Sequence, residues 1–330
     1  MKARALERLG HRVAVLNLQE CLPSSIWLRR LNNWTGYAVG QSATAKFVAR
    51  RLVGQNYDVA WVDSGQMVGP KVMAVLRQHA RHLVNYNHDD PTGARDGRAW
   101  GSFKRAVPLY DLLVTVRIET EAELKAMGAS KVIRVWRSYD EVDHRPREIS
   151  ADDQARWGSE VVFVGTWMPE RGPFMAELVR RGLPLAIYGD FWPKAAEWPV
   201  LKASWRGPAV YGDDYAKAIQ CSKIALGLLS KGNRDRHTQR SAEIPALGGL
   251  LCAQRTDEHT QLFVEGKEAI FWRGAVECVR VCEEMLGNKV RREIIIQAGK
   301  MAVHMHGLGH EAILGTVIRK LLNPSSLQPK

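Results

Sequence analysis

Short apolar runs rich in β-branched residues alternate with helical patterns along the first half of the chain. The helical patterns cover residues 41–55, 66–80 and 119–127. Strands separated by helices of this length predict βαβ units and a parallel sheet. The runs that predict buried strands are Arg12–Leu18, Asp58–Asp63, Leu83–Tyr86, Leu112–Val116 and Val132–Val135.

A polar stretch from Asp140 to Trp157 interrupts this alternation. It contains a proline and many charged residues, which is typical of a linker between domains. We therefore predict an amino-terminal domain over residues 1–145 and a carboxy-terminal domain over residues 158–330, with mostly helical terminal residues that dock back. The predicted strands of the second domain are Glu160–Gly165, Leu185–Tyr188, Lys223–Leu229, Leu250–Ala253 and Ala269–Trp272.

The chain opens on a predicted helix over residues 2–9, and the first predicted strand follows it. A doubly wound α/β domain normally opens with a strand, a tight turn and then a helix. The amino-terminal sheet is therefore predicted to lack its first strand. Either the start of the chain is misassigned or this sheet is shorter than usual.

Composition and charge narrow the classes of protein and partner. The 330 residues are 45% hydrophobic and 25% charged, which is ordinary for a globular protein of two domains. The net charge of +12 favours an anionic partner, namely nucleotide phosphates, an anionic membrane surface or nucleic acid. No motif of a nucleic-acid-binding protein accompanies the charge, so nucleic acid is the least favoured of the three.

The location of the protein is predicted from two negative observations. The sequence contains no run of about 18 apolar residues, the length that a transmembrane helix needs. The first ten residues lack the apolar central region of a secretory signal. We therefore expect a cytoplasmic protein.

Cysteine and histidine spacing gives no convincing metal site. The chain has five cysteines and no Cys-x-x-Cys pair, which argues against a disulfide framework and a zinc knuckle. Cys278 and Cys282 lie one helical turn apart, but buried free thiols explain them more simply. His304, His306 and His310 are interrupted by glycines that break a helix, so we predict no metal there.

Ligand groups of an open α/β sheet lie just beyond the carboxyl ends of its strands. In the second half, Gly165 follows a predicted strand, and a helix is predicted to start near Glu170. Glycine lets backbone approach a ligand, and a helix N-terminus favours phosphate. Tyr188 and Gly189 end the next strand, where a nucleobase could stack on the tyrosine. Each signal alone is also typical of a simple tight turn.

The strongest candidate segment runs from Asn233 to Gly249. Arg240 and Glu243 are three residues apart on a short predicted helix, so their side chains share one face. An arginine can hold a diphosphate bidentately, and a carboxylate can accept both hydroxyls of a ribose. We expect Glu243 to lie on the helix surface beside a ligand. The spacing alone equally fits a surface ion pair.

A second candidate site follows the strand over Leu83–Tyr86. His88, Asp89 and Asp90 precede a proline there. A carboxylate next to a histidine could deprotonate an acceptor hydroxyl, and paired carboxylates could bind a divalent cation. A capped turn with aspartate as the capping residue explains the same residues without any chemistry.

Several of these motifs together resemble the CgeB-like, spore-maturation type of glycosyltransferase. The runs Arg240–Gly249 and Leu262–Glu268 are similar to the family's Arg-x-x-Glu-x-x-x-x-Gly-Gly and Leu-Phe-x-x-Gly-Lys-Glu elements. Phe163–Arg171 resembles its Gly-Thr-x-x-x-x-Arg turn, and His88–Pro91 and Tyr110–Thr115 resemble its amino-terminal half. The similarity extends over roughly residues 80–320.

The resemblance implies an α/β protein of GT-B type, with two Rossmann-like domains. It implies a hexosyltransferase-like enzyme that moves a sugar from a nucleotide-sugar to a polysaccharide, lipid-linked or protein-glycan acceptor, without a metal or other cofactor. The alternatives are a nucleic-acid-binding or structural protein on this fold, or a sugar-nucleotide epimerase.

The resemblance also implies residue roles. The carboxylate at the Glu243 position binds the donor ribose, and Asp235, eight positions earlier, stands where the family more often has a glutamate facing the sugar or phosphate. The predicted catalytic residues are His88, Asp89 and Asp90. The predicted donor-binding residues are Gly165, Thr166, Arg171, Tyr188, Gly189, Asp235, Arg240, Glu243, Gly248 and Gly249.

Overall fold

The computed structural model describes residues 1–22 and 25–322, so residues 323–330 of the predicted second domain lie outside the described residues. Helices and strands alternate through most of the chain. The strands are β1 Tyr57–Asp63, β2 Ala80–Asn87, β3 Leu112–Thr115, β4 Val132–Arg134, β5 Ser159–Val164, β6 Leu185–Tyr188, β7 Trp205–Gly207, β8 Ser222–Gly227, β9 Leu251–Gln254 and β10 Ile270–Trp272.

The α-helices vary from single turns to a helix of 17 residues. They are α1 Lys2–Arg8, α2 Ile26–Trp34, α3 Gln41–Leu52, α4 Pro70–His79, α5 Gly101–Ala106, α6 Ile118–Ala126, α7 Ala151–Trp157, α8 Arg171–Arg180, α9 Trp198–Leu201, α10 Gly212–Gln220, α11 Gln239–Ala246, α12 Asp257–Leu262, α13 Ala275–Gly287, α14 Lys289–Met305 and α15 His310–Leu322. Short 3-10 turns lie at Leu18–Cys21, Gly97–Trp100, Val107–Leu109, Trp192–Lys194 and Lys231–Asn233.

The chain divides into two compact units. The amino-terminal unit comprises Leu6–Trp136, Gly232–Arg234 and Leu314–Lys330. The carboxy-terminal unit comprises Met1–Ala5, Arg137–Lys231 and Asp235–Ile313.

The amino-terminal unit contains a four-stranded parallel sheet in the order β1-β2-β3-β4. The central strand β3 is buried throughout, and β2 is buried from Leu83 to Asn87, as expected for a parallel sheet covered on its faces. Leu83 and Leu113 contribute to a core that also includes Val72 of α4 and Phe103 of α5. This core holds the carboxyl end of β2 in place, where the predicted catalytic residues follow.

The carboxy-terminal unit contains a six-stranded parallel sheet in the order β10-β9-β8-β5-β6-β7. The first strand of the sheet, β5, lies between β8 and β6. The chain thus proceeds outward on one side of β5 and then returns to its other side. Such a topological switch point is where open α/β sheets bind ligands, beyond the carboxyl ends of the strands.

Two sequence predictions about the first half of the chain need correction. Arg12–Leu18 forms no strand, because its backbone pairs with no neighbouring strand among the described residues, and most of its residues are exposed. Asp140–Trp157 is not an open linker. Ser150 caps α7 with a reciprocal capping box, and Trp157 at the end of that helix is buried.

The boundary between the units also differs from the predicted domains. It falls between Trp136 and Arg137, before the polar stretch, and not within residues 146–157. The polar residues Asp140 and His144 are buried within the carboxy-terminal unit. Their polarity resembles a linker in the sequence, whereas hydrogen bonds satisfy it in the fold.

No helix within residues 1–22 and 25–322 is both long and apolar enough to cross a membrane.

Candidate functional site

The switch point of the carboxy-terminal unit is built around two glycines. The Gly165 amide donates to the Tyr188 carbonyl at 2.8 Å, which joins the ends of β5 and β6. A Cβ atom on Gly189 would lie 2.0 Å from the Gly165 carbonyl oxygen, so no other residue fits there. Trp192 Nε1 donates to the same carbonyl at 2.9 Å. Both glycines that the sequence assigned to ligand approach thus have a packing role, Gly189 in the contact between the strand ends and Gly165 against the Phe163 ring, 2.7 Å from an added Cβ atom.

A hydrogen bond from Arg171 stabilises the turn that follows β5. Arg171 Nη1 donates to the Thr166 carbonyl at 2.7 Å, and its guanidinium lies 5.5 Å above the Phe163 ring. This places Arg171 across the turn between β5 and α8, which begins at the same residue. The amino-terminal end of a helix favours an anion, and here it follows the switch-point strand. The geometry therefore suits a phosphate group at this end of the sheet.

Tyr188 is less available than the sequence predicted. Its side chain is buried, and its ring packs against Trp157 with centroids 5.4 Å apart. Burial raises the pKa of its phenol. A nucleobase would have to displace Trp157 in order to stack on this ring.

Glu243 lies in a cluster of four side chains, which we call the Glu243 cluster: His144, Tyr215, Arg240 and Glu243. Glu243 is only 3% exposed, so it is not on the helix surface as the sequence suggested. Its Oε2 accepts from the Tyr215 hydroxyl at 2.9 Å and from Arg240 Nη1 at 2.6 Å. Burial raises the pKa of Tyr215 well above its ordinary value, which keeps the phenol protonated as a donor.

The fourth member, His144, has its tautomer set by the backbone. The Asp140 amide donates to His144 Nδ1 at 2.9 Å, so this nitrogen is an acceptor and the ring proton resides on Nε2. His144 Nε2 lies 3.4 Å from Glu243 Oε1. Oε1 therefore faces one long contact, whereas Oε2 has two short ones.

Arg240 connects the Glu243 cluster to the switch point. Its Nε donates to the Val164 carbonyl at 3.2 Å, at the end of β5, and its guanidinium lies 4.7 Å above the Tyr215 ring. About a third of its side chain remains exposed, at 33%. The fold thus brings the predicted phosphate-binding arginine next to the turn that begins at Gly165.

Asp235 is a buried ion-pair residue. Its Oδ1 accepts from Arg137 Nη2 at 3.0 Å, and both side chains are almost fully enclosed. The backbone amide of Arg137 donates to His237 Nε2, and His237 Nδ1 contacts Glu258 at 2.5 Å. These buried contacts order the loop that leads into α11. Asp235 thus forms a structural ion pair with Arg137, whereas the sequence predicted that it faces the sugar or phosphate.

Gly248 and Gly249 end α11. Gly248 has a φ of +81°, the left-handed conformation that commonly terminates helices. A Cβ atom on Gly249 would lie 2.6 Å from Ile219 Cγ2. Both glycines that the sequence assigned to donor binding thus have a structural explanation in the helix end and its packing.

The predicted catalytic residues separate into an enclosed carboxylate and an accessible one. Asp90 is 1% exposed and lies in what we call the Asp90 cluster, with Thr92, Gly93, Thr120 and Arg234. Its two oxygens accept from all four residues, and Arg234 binds both oxygens at 2.7 Å. Burial alone would raise the pKa of Asp90, but Arg234 brings it below its ordinary value. Asp90 is therefore a saturated anion and unsuited to act as a base, contrary to the sequence prediction.

Asp89 has a more open environment. Its Oδ2 accepts from the Ser64 hydroxyl at 3.2 Å, and it borders a cavity of about 500 Å³. The adjacent His88 packs its ring on Tyr86 at 4.8 Å. The cavity is lined by Asn33, Tyr37, Gln66, Asp89, Arg95, Asp96, Ala99 and Asn233. This lining is almost entirely polar, which suits a ligand with several hydroxyl groups.

Two groups of side chains in the described part of the chain have the spacing of metal ligands. One joins Cys252 to Cys278 and Cys282, and the other consists of Asp140, Glu141 and His310. Cys252 Sγ and Cys282 Sγ are 3.8 Å apart in the apolar core of the carboxy-terminal unit, where free thiols pack as small apolar groups. The sequence analysis identified the proximity of Cys278 and Cys282 on one helix but not that of Cys252.

Sequence reasoning missed most partners of the candidate residues. Arg137, His144 and Tyr215 contact Asp235 or Glu243 from distant parts of the chain, and no spacing links them to the Arg-x-x-Glu element. Arg234 lies in the candidate segment, but its 144-residue separation from Asp90 hides their pairing. A buried polar side chain implies that it has a hydrogen-bond partner, but which polar residues are buried is known only from the structure.

Comparisons with known proteins give one family match and several solved structures with the same fold. Residues 171–312, which include Arg240 and Glu243, match the family model described as glycosyl transferase-like. A comparison with curated proteins gives no match.

Three solved structures share the fold. Sucrose-phosphate synthase from Thermosynechococcus elongatus has a TM-score of 0.68 and 11% identity, covering 98% of this chain and 92% of that chain. A glycosyltransferase from Rickettsia africae ESF-5 has a TM-score of 0.64 and 12% identity, covering 98% and 93%. HepE of Anabaena with UDP-glucose has a TM-score of 0.63 and 10% identity, covering 91% and 90%.

At these identities the structural likeness shows the fold. The predicted α/β fold of GT-B type, with two parallel sheets, is confirmed. The family match indicates that residues 171–312 are glycosyl transferase-like.

Proposed function

We propose that the protein transfers a sugar from a nucleoside-diphosphate sugar, which binds at the switch point of the carboxy-terminal unit. The observation that carries the proposal is the position of Arg240, whose guanidinium contacts both Glu243 and the end of β5. The family match over residues 171–312 supports a transferase. HepE, which shares the fold, was solved with UDP-glucose.

In this proposal the diphosphate lies between the Gly165 turn, the start of α8 and Arg240. A fixed cation and a helix N-terminus stabilise the negative charge that develops on the leaving diphosphate. Arg240 suits this role because its charge is permanent and a third of its side chain is exposed.

The ribose binds at Glu243. Its Oε2 is engaged by Tyr215 and Arg240, whereas the 3.4 Å contact of Oε1 with His144 is long enough for a ribose hydroxyl to replace it. Tyr215 and His144 then orient the carboxylate. The CgeB-like subtype implied by the sequence is part of this proposal.

The acceptor binds in the cavity beside Asp89 in the amino-terminal unit. Amide and carboxylate groups line it, and such groups recognise hydroxyls by hydrogen bonds. Asp89 is the proposed base for the acceptor hydroxyl, since Asp90 is saturated by Arg234.

A thermal-shift titration with UDP, GDP, ADP, CDP and dTDP tests the donor site, because a ligand that binds only the folded state raises the melting temperature. We expect one of these nucleotides to stabilise the wild-type protein. Glu243→Gln should weaken that nucleotide about tenfold or more, since it removes a charge-assisted acceptor.

Tyr215→Phe is the matched control. It removes one internal hydrogen bond of Glu243 but leaves the carboxylate in place. It should therefore lower stability about as much as Glu243→Gln does while retaining most nucleotide affinity. A flat response to all five nucleotides, or equal affinity losses in the two variants, would contradict the ribose assignment.

A further inference from the structure

Helix α2 exposes an unusual number of large apolar side chains. Trp27, Trp34 and Ile26 are 72%, 65% and 60% exposed, and Leu28 and Leu31 are exposed as well. Asn32 is the only buried residue of this nine-residue helix. Contiguous exposed apolar surface of this kind marks an interaction site.

Three of these apolar residues share one side of the helix. At the 3.6 residues per turn of an α-helix, Trp27, Leu31 and Trp34 lie within roughly 60° of one another around the axis. Arg29 and Arg30 lie outside this sector. An amphipathic helix with tryptophan and leucine on one face and arginine beside it is typical of a segment that lies in the membrane interface.

Arginines accompany both exposed tryptophans. The Arg30 guanidinium lies 5.4 Å from the Trp27 ring centroid, and that of Arg98 lies 5.6 Å from the Trp34 ring centroid. A tryptophan has an apolar body and a polar N–H, so it suits the boundary between acyl chains and headgroups. The arginines beside the rings are placed to meet lipid phosphates.

The positive charge of the sequence around α2 favours binding to an anionic membrane surface. Between Glu20 and Asp58 the chain has no acidic residue and five basic ones. Three of these lie in α3 and two in α2. A segment with this charge is attracted to an anionic bilayer.

We propose that α2 docks the protein on the surface of an anionic phospholipid bilayer, with Trp27, Leu31 and Trp34 inserted at the headgroup boundary. This surface is separate from the donor site. Asn33 and Tyr37, at and just after the end of α2, also line the cavity beside Asp89. If the proposed function holds, a bilayer on α2 lies next to the acceptor cavity, which favours a lipid-linked acceptor.

Vesicle cosedimentation of the full chain tests the docking surface. We expect the protein to sediment with vesicles of phosphatidylcholine mixed with phosphatidylglycerol, and to remain in solution with phosphatidylcholine alone. Added salt should weaken binding. Combining Arg29→Ala with Arg30→Ala should weaken it about 25-fold, since each arginine near the surface contributes about fivefold. Combining Trp27→Ser with Trp34→Ser should weaken it at least about tenfold.

The matched control lies on α14, where Ile294 and Met301 are also exposed but form part of a different unit. Combining Ile294→Ser with Met301→Ser should leave vesicle binding unchanged. Because all of the substituted side chains are exposed, the melting temperatures of the variants should equal that of the wild type.

Three outcomes would overturn the proposal. The first is wild-type protein that fails to sediment with the anionic vesicles, and the second is a tryptophan variant that binds them like the wild type. The third is a wild-type dimer in solution that the tryptophan variant converts to a monomer, which would assign the surface to a second copy of the chain. None of these outcomes affects nucleotide binding, so the donor-site proposal is tested separately.

Discussion

The Asp90 cluster and the Glu243 cluster each enclose a carboxylate that the sequence marked as functional. Asp90, in the amino-terminal unit, accepts five hydrogen bonds, and one arginine covers both of its oxygens. Glu243, in the carboxy-terminal unit, has two short contacts on Oε2 and one long contact on Oε1. Both residues are buried, but each oxygen of Asp90 has a 2.7 Å contact with Arg234, whereas Oε1 of Glu243 has only the 3.4 Å contact with His144.

The difference shows that burial does not separate a structural carboxylate from a binding one. What separates them is the number of short contacts on each carboxylate oxygen and the number of acidic partners of the arginine, since the two arginine side chains are equally exposed, at 32% and 33%. Arg234 has both Asp90 and Glu123 as partners. Arg240 has Glu243 as its only acidic partner among the described residues and faces the switch point. Arg234 is thus committed to the fold, whereas Arg240 is positioned for an anionic ligand.

The largest expected effect is that of Arg234→Ala. It leaves the Asp90 carboxylate buried without its counter-ion, which should lower the free energy of unfolding by about 3 kcal/mol. Urea denaturation of the two proteins measures the change. Arg236→Ala is the matched control, because its ion pair with Asp257 is largely exposed and contributes under about 1 kcal/mol. Equal midpoints for Arg234→Ala and the wild type would show that Asp90 is not held as described.

The next effect is a pH dependence confined to the carboxy-terminal unit. Burial lowers the pKa of His259 to about 4, and burial also lowers the pKa of His237. In the unfolded chain a histidine has a pKa of about 6.5, so between pH 6.5 and pH 4 it binds a proton that His259 in the folded unit does not bind. The free energy of unfolding therefore decreases as the pH drops from 6.5 to 4. By pH 4.5 the loss from His259 should reach about 2 kcal/mol.

Asp90 provides the contrast in pH. Its folded pKa is depressed below 3.8, so its stabilising contribution is complete above that pH and is lost only in stronger acid. His259→Gln should flatten the dependence of stability on pH between 6.5 and 4, as followed by urea denaturation at several pH values. If the variant keeps the full wild-type slope, His259 is not the group that titrates.

The smallest effect distinguishes helix termination from ligand binding. Gly248→Ala places a side chain at a φ of +81°, which should cost about 1 kcal/mol of stability. No heavy atom outside its chain neighbours lies within 4 Å of the added Cβ, so the neighbouring side chains need not move. Nucleotide affinity should stay close to that of the wild type in the thermal-shift titration. A large loss of nucleotide affinity at unchanged stability would instead support the predicted donor-binding role of Gly248.

Much of the architecture followed from local patterns. The strand predictions near residues 58–63, 83–86, 112–116 and 132–135 correspond to β1 to β4, because apolar β-branched runs between helices of sufficient length leave few alternatives to a parallel sheet. The pattern failed at Arg12–Leu18, where the residues are suitable for a strand but no neighbouring strand supplies hydrogen bonds. It also missed β7, whose residues Trp205, Arg206 and Gly207 contain no apolar β-branched run.

The sequence by itself determined the alternation of strands and helices, the glycines at the strand ends and the shared helix face of Arg240 and Glu243. These features depend on backbone geometry and on contacts within a few residues, so the order of residues contains them. Only the tertiary structure decided that Asp90 is saturated, that Tyr188 is covered by Trp157 and that Glu243 is enclosed by Tyr215 and His144. Each of those outcomes depends on side chains far apart along the chain, whose meeting is set by the packing of the sheets and helices.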